Sequence, residues 1–496
     1  MKTPRTRDAM AGPLRRASTF CLLLVLALMA RATWLAVAEA DGYTSNPANA
    51  RITIDRYAQP LGNILVGGQP VTGSVPTEGP LAFKRSYTDG PLYASLTGYT
   101  SQAYGSNQLE SIFADLLDGS DPRLTGPVEA LTDPLTRSRP AGGDVVTTID
   151  PAVQRAGWAA LGGRQGAAVA IDPATGRILG LVSTPSYDPS GITGRSKADE
   201  RAWQALSADS GKAMVNGALR ATYAPGSTFK LVVAAAALES GLYPNVDTPT
   251  ASPNPYTLPG TRTVLTNENA AAPCANATLR TALEYSCNNV FAKAAADLGE
   301  AKLSAQAAKF GFNLEKLDTP VRAATSVYPA GMEPSQVALT GIGQFSVTAT
   351  PLQMALVSAA VANDGVLMTP STVSKLTDHS GRTVQEFAPA ELGRVMSAQT
   401  AKQLQSAMVS VVTDGTGKAA AIPGLTVGGK TGTAQHGVDN SGLPYAWFTS
   451  WADDGKGHRI AVAAVVLNGS TDRDEITGGG LAGPVAKAMT AAYLKR

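Results

Sequence analysis

The chain has 496 residues, 44% of them apolar and 16% charged, with 41 Lys and Arg against 39 Asp and Glu. That length allows two or three domains and a large core, and a formal net charge of +2 gives no reason to expect nucleic acid as a partner. No fixed-period repeat and no long low-complexity tract is present, which argues against a solenoid or a disordered array.

Residues 1–16 carry Lys2, Arg5, Arg7, Arg15 and Arg16 against one acid, Asp8, and residues 17–38 are mostly apolar. Two readings fit: a retained transmembrane anchor of about 20 residues, or a cleaved signal peptide with a short apolar core at Phe20–Ala30 and A-x-A sites in "AVAEA". In either case the basic head stays cytoplasmic and the bulk of the chain is exported. Arg31 interrupts the span and is expected to snorkel toward the outer interface near Trp34.

Cys21 lies in the apolar span, which leaves Cys274 and Cys287 in the exported part. An even pair in an oxidising compartment suggests a disulfide, with two unrelated buried thiols as the alternative.

Residues 41–140 are rich in Gly, Pro, Ser and Thr. Short β-like runs such as "RITIDRY" and "GNILVGG" flank one helical segment, "NQLESIFADLLDG". No catalytic cluster appears here, and the expectation is a membrane-proximal pedestal. The texture changes near Gly142, so residues 141–496 read as a second domain. There, "GDVVTTID" predicts a strand and "PAVQRAGWAAL" a helix with Pro151 in its first turn. "GAAVAIDPATGRILGLVSTP" predicts two strands joined by a turn. Much of residues 200–420 reads as helix. The strands "LTVGGKTGTAQ", "YAWFTSWAD" and "RIAVAAVVLNG" follow, then a helix from about Leu481 to Leu494. Strands, a helical insert, then strands and a helix define an α+β class, an antiparallel sheet flanked by helices.

Within "YAPGSTFKLVVAAAALESG", one helix is predicted to open at Ser227 and Thr228 and stop at Gly241. Residues 231–238 are all apolar, so the helix belongs in a domain interior. Lys230, three residues after Ser227, shares its side of the helix. A serine hydroxyl needs a base to become a nucleophile. The chain has three histidines, His379, His436 and His458, and no G-x-S-x-G elbow. Lys230 can serve if burial and the positive helix end keep it neutral; lowering its pKa from about 10.4 to about 7 costs roughly 5 kcal/mol. Alone, S-x-x-K also fits a capped helix with a surface lysine.

Two further segments change that balance. In "LEYSCNNVFAKAAADLG", Ser286 and Asn288 fall where one helix ends and another begins. There a hydroxyl can relay a proton and an amide can hold a carbonyl, although a plain helix cap uses the same residues. In "VGGKTGTAQ", Lys430, Thr431, Gly432 and Thr433 lie on a predicted strand. A cation and hydroxyls suit an anionic terminus, and Gly428, Gly429 and Gly432 are expected to let a ligand backbone approach. The alternative is an edge strand blunted by lysine.

S-x-x-K, S-x-N and K-T-G in this order resemble the signature of serine enzymes that bind penicillin. With "GDVVTTIDPAVQ", "ALTGIGQFSVTATPLQMA" and "GTGKAAAIPGLTVGGKTGTAQ", the chain is similar to the class B penicillin-binding proteins, monofunctional peptidoglycan transpeptidases, and looks most like their penicillin-binding protein A subgroup. The likeness runs from about Gly142 to the C-terminus, and "RYAQPLGNILVGGQPV" resembles the membrane-proximal domain. Two positions depart from the family pattern: Leu61-Gly62 stands where Arg-Gly is common, and Gly217 where Arg is usual.

The resemblance implies a five-stranded antiparallel sheet and an acyl-enzyme on Ser227 with Lys230 as base. Ser286 and Lys430 would relay the proton, and the backbone N–H groups of Ser227 and Thr433 would form an oxyanion hole. Asn288 and the Lys430–Thr433 strand would hold the donor. It further implies peptidoglycan stem peptides ending in D-Ala-D-Ala and β-lactams as ligands, no metal and no cofactor. A glycan-polymerase or divisome partner and a role in septal wall synthesis are also expected. A D,D-carboxypeptidase, a β-lactamase or a non-turning-over penicillin-binding scaffold or sensor would carry the same motifs. The short stretch between span and catalytic domain disfavours a bifunctional glycosyltransferase.

Overall fold

In this computed structural model, which describes residues 11–39, 42, 50–125, 139–210 and 212–495, the first element is helix α1 (Ala11–Val37). An 18-residue window of mean hydropathy 2.2 makes it long and apolar enough to cross a membrane. Near its C-terminal end Arg31 and Trp34 both donate to Glu39 Oε1, at 3.2 and 3.0 Å. Lys2, Arg5 and Arg7 lie outside the described residues. The "RITIDRY" stretch is a helix, Ala50–Arg56, and not a strand. β-Branched residues favour a strand only when a neighbouring strand offers a pleated surface to pack on, and among the described residues none pairs with this segment. Both helices belong to one compact unit, Met1–Gln59 with Thr77–Ala82; Pro60–Pro76 and Phe83–Arg496 form the other.

In that second unit β1 (Ile64–Val66) pairs in parallel with β2 (Asp144–Thr147). "NQLESIFADLLDG" forms two short helices, Gln108–Ile112 and Ala114–Leu117, broken at Phe113. Glu110 of the first is buried and receives Arg85 Nε at 2.6 Å, while Arg85 Nη1 donates to Gly62 O at 2.6 Å. Leu61, one of the two departures, is buried at 7% exposure.

Helix α2 (Pro151–Leu161) begins where its sequence dictates. Asp150 accepts from the N–H groups of Ala152 and Val153, Pro151 fills the first position, and Gly162 closes the helix with φ 58°. The hairpin β3 (Gly166–Ile171) and β4 (Ile178–Thr184) follows. Helix α3 (Lys230–Glu239) is buried from Lys230 through Ala237. Burying Leu231, Val232 and Val233 contributes about 1.5–3 kcal/mol each. It packs against α4 (Asn288–Lys309), kinked at Gly299.

After α5 (Pro351–Ala362) the chain turns to strands. The stretch read as helical contains Val366–Met368, β5 (Val373–Thr377), β6 (Thr383–Glu386) and Glu391–Arg394 before α6 (Ala398–Thr413). Then come β7 (Thr426–Ala434), β8 (Tyr445–Asp453), β9 (Arg459–Val466) and α7 (Gly483–Leu494).

The central sheet has five strands in the order β7-β8-β9-β3-β4, every pair antiparallel. Its inner strands are buried on both faces, so they are apolar without alternation. Helix α5 covers one face, and α2 and α7 cover the other. A second five-stranded sheet runs β6-β5-β2-β1 and ends on Gln69–Pro70. It joins strands from residues 60–76, from 144–147 and from 373–386, so the region expected as a pedestal shares a sheet with the region after it.

Candidate active site

Pro225 and Gly226 (φ 53°) turn the chain into a 3₁₀ segment, Gly226–Phe229, which runs straight into α3. Ser227 is therefore the second residue of the helical run and not its cap. An added Cβ at Gly226 would stand 3.1 Å from Thr433 O and 3.0 Å from Ala434 Cβ, so this turn lies directly against β7, the edge strand of the central sheet. Ser227 is 5% exposed, and its hydroxyl makes no hydrogen bond to the described residues. Catalytic hydrogen bonds often tighten only when a ligand is bound.

Lys230 is fully buried. Its Nζ donates to Ser286 O at 2.7 Å, Asn288 Oδ1 at 2.8 Å and Ser286 Oγ at 3.2 Å. Lys430, also fully buried, donates to Ser286 Oγ at 3.0 Å, Thr431 O at 2.9 Å and Thr431 Oγ1 at 3.4 Å. Ser286 Oγ thus stands between two lysines. Both its lone pairs are engaged, and its own proton is not used by these contacts. Ser286 holds φ at +58° in the break between helix Leu279–Glu284 and α4, a left-handed conformation that a serine adopts only when its surroundings enforce it.

Two ammonium groups cannot cheaply share one dry site. Burial, and then the Lys430 charge, push Lys230 well below the usual lysine range, against a weaker upward pull from Glu268. Burial brings Lys430 down to about 7, again opposed by Glu268. Lys230 is therefore held uncharged far more readily than an ordinary lysine, which is what a lysine base requires.

Cys287 joins Cys274 in the disulfide that the even pair of exported cysteines suggested. The polar surroundings of this turn were not legible from sequence. Asn267 Oδ1 accepts from the N–H groups of Asn288 (2.6 Å) and Asn289 (3.4 Å), and Thr266 O accepts from Asn288 Nδ2 at 3.0 Å. Asn289 is fully buried; its Nδ2 donates to Cys274 O, Pro253 O and Ser252 O, and its Oδ1 accepts from Asn267 Nδ2 at 3.0 Å. The consecutive asparagines after a serine were the available signal.

On β7, period-two geometry puts Lys430 and Gly432 on one face and Thr431 and Thr433 on the other, yet the long Lys430 side chain brings Nζ to Thr431 Oγ1 at 3.4 Å. Thr431 Oγ1 is paired with Thr416 Oγ1 at 2.8 Å, and Thr433 is half-buried. The glycines serve internal packing instead of a ligand backbone. An added Cβ would meet Trp451 Nε1 at 2.4 Å from Gly428, Phe448 Cζ at 2.5 Å from Gly429, and Thr228 Cγ2 at 3.0 Å from Gly432.

Residues 166–491 match the family described as the penicillin binding protein transpeptidase domain, and residues 61–145 match the penicillin binding protein A dimerisation domain. The chain is 37% identical over 494 residues to peptidoglycan D,D-transpeptidase PbpA of Mycolicibacterium smegmatis, covering 97% of this chain and 99% of that protein. The protein of the same name from Mycobacterium tuberculosis is 37% identical over 496 residues, covering 98% and 99%. Penicillin-binding protein A from M. tuberculosis, solved as its ceftriaxone acyl-enzyme complex, superposes with a TM-score of 0.82 at 36% identity, covering 89% of this chain and 100% of that one. Its penicillin G acyl-enzyme complex gives 0.80 at 37% identity, covering 88% and 100%. The chain belongs to the penicillin-binding protein transpeptidase family.

Proposed function

We propose that this protein is a peptidoglycan D,D-transpeptidase that works through an acyl-enzyme on Ser227 and is acylated there by β-lactams. Lys230 takes the Ser227 proton as Oγ attacks the carbonyl between two D-alanines. Backbone N–H groups of Ser227 and Thr433 stabilise the oxyanion, a contribution of about 3–4 kcal/mol per donor in comparable sites. Ser286 and Lys430 carry the proton to the departing D-Ala amine as the peptide C–N bond breaks. Asn288 and the Lys430–Thr433 strand hold the donor peptide and its carboxylate. An amine from a second stem then attacks the ester, forms the cross-link and returns the proton to Ser227.

The observation that carries this reading is the meeting of Lys230, Lys430 and Asn288 around Ser286, with both lysines buried and held below their ordinary pKa. The functional division we assign is a cytoplasmic tail at residues 1–16, an anchor at 17–38, a pedestal at 41–140 and the catalytic region at 141–496. The basic head favours the cytoplasmic side, which puts catalysis outside the cell membrane. The resemblance to the penicillin-binding protein A subgroup supports work at the septum beside a glycan polymerase.

Labelling with a fluorescent penicillin should mark the wild type and leave Ser227→Ala dark. A cross-linking assay with a stem-peptide donor and an acceptor amine then tests transfer; release of D-Ala without cross-linked product would make the protein a carboxypeptidase instead.

A further inference from the structure

The segment tied to Asn288 also brings a carboxylate to the mouth of the site. Thr266 O accepts from Asn288 Nδ2 and Asn267 Oδ1 accepts from the Asn288 N–H, and Asn288 Oδ1 in turn holds Lys230 Nζ. Asn267 Nδ2 is spent on Asn254 Oδ1 at 3.1 Å and Asn289 Oδ1 at 3.0 Å, so every polar atom of that side chain is fixed. Glu268 is the next residue, and its place is therefore set by the catalytic asparagine and not by a free loop.

Glu268 is exposed and makes no hydrogen bond or ion pair with the described residues. Asp247, Asp297 and Asp318 are exposed too, but each is held by a base, Arg280, Lys293 and Arg322 in turn. The Glu268 charge still reaches inward, where it pulls upward on both Lys230 and Lys430. The approach to the two buried lysines thus carries an unneutralised negative charge, which the acylation half of the reaction does not use.

Resting on the transpeptidase reading above, we infer that Glu268 is the docking point for the acceptor, drawing in a primary alkylammonium group and favouring transfer to that amine over transfer to water. An alkylamine with a pKa of about 10.4 is almost wholly protonated at pH 8, so the acceptor arrives as a cation and water does not. A carboxylate on the approach raises the local concentration of the first and leaves the second unchanged. The docked ammonium gives one proton to solvent, and its freed lone pair attacks the acyl carbonyl. The C–N bond forms as the ester bond to Ser227 Oγ breaks. Lys230 takes a second proton from the nitrogen and passes it to Oγ, and the third stays on the new amide.

The test uses the full-length protein at pH 8 with an N-acyl-D-alanine thioester as donor. The acyl-enzyme partitions between water and an added nucleophile, and the readout is the ratio of captured product to free acid, in which changes in acylation or in the folded fraction cancel. Two nucleophiles are titrated: Nα-acetyl-lysine amide, cationic in solution, and hydroxylamine, uncharged at this pH. Glu268→Gln should lower capture by the lysine derivative about threefold to fivefold, the size of an exposed ion pair. Glu268→Lys should lower it further, and Glu268→Asp should keep most of it. The hydroxylamine ratio should not follow this charge series, and the wild-type capture of the lysine derivative should shrink as NaCl is raised. An equal loss with both nucleophiles, or no loss with either, overturns Glu268 as the docking point and leaves the transpeptidase reading intact. A wild type that yields free acid alone with both nucleophiles brings down the transpeptidase reading and this inference with it.

Discussion

Asn267 caps helix α4 from outside the helix, its Oδ1 accepting the Asn288 N–H at 2.6 Å from twenty-one positions away in sequence. Cys287, which precedes the helix, offers no side-chain cap of its own. The same asparagine therefore satisfies an orphan helix donor and fixes the residue whose Oδ1 holds Lys230.

Asn267→Ala should cost about 1 kcal/mol of stability through the lost cap, and it should slow penicillin acylation because Asn288 loses its anchor. Asn267→Asp keeps the acceptor but loses the Nδ2 donor to Asn289 Oδ1, so it should restore only part of the stability. Urea titrations and acylation rates of the two variants together check both parts.

Acylation should depend on pH through the coupled lysines. A base whose pKa is depressed stays uncharged to lower pH, so the rate should fall only as pH drops through the depressed Lys230 transition, well below the ordinary lysine range. The Lys430 charge lowers Lys230. Lys430→Met should therefore raise the Lys230 pKa and move the acid limb to higher pH. Residual acylation of that variant, measured from pH 5 to 10, gives the sign.

Gly343→Ala should be among the most damaging single substitutions. Gly343 sits at φ +68°, and an added Cβ would fall 2.1 Å from Gly226 O, on the turn that carries Ser227. A loss of about 3 kcal/mol or more is expected, with acylation slowed as the turn is displaced. Thermal melting and penicillin labelling measure the two effects.

Breaking the Cys274–Cys287 bond frees a loop with a sequence separation of 13 residues. The chain-entropy estimate for that length is about 3 kcal/mol. Dithiothreitol should lower the melting temperature of the wild type and leave a Cys274→Ser/Cys287→Ser variant unmoved.

Local signals made much of this molecule legible. Asp150-Pro151 and Gly162 bracket α2 as capping chemistry requires, and the three C-terminal strands follow from their apolar runs. Lys230 could be placed inside the domain because the helix behind it has no polar face. What escaped depended on distant partners. Nothing near Asn267 in sequence says that it will cap a helix at Asn288. The glycines of β7 were assigned to a ligand because the rings of Trp451 and Phe448 that fill their space arrive from the next strand. "RITIDRY" has strand-like residues and no strand beside it, and the strands between Val366 and Arg394 were submerged in a region dominated by helix.

The sheet that runs from β6 to β1 sets a practical limit on cutting the protein. A soluble fragment begun at residue 141 would strip β1 from β2 and leave Val145, fully buried in the intact chain, beside an open and sticky edge. Starting at Pro60 keeps that pairing whole, so crystallographers and inhibitor screeners should discard only the leading helices.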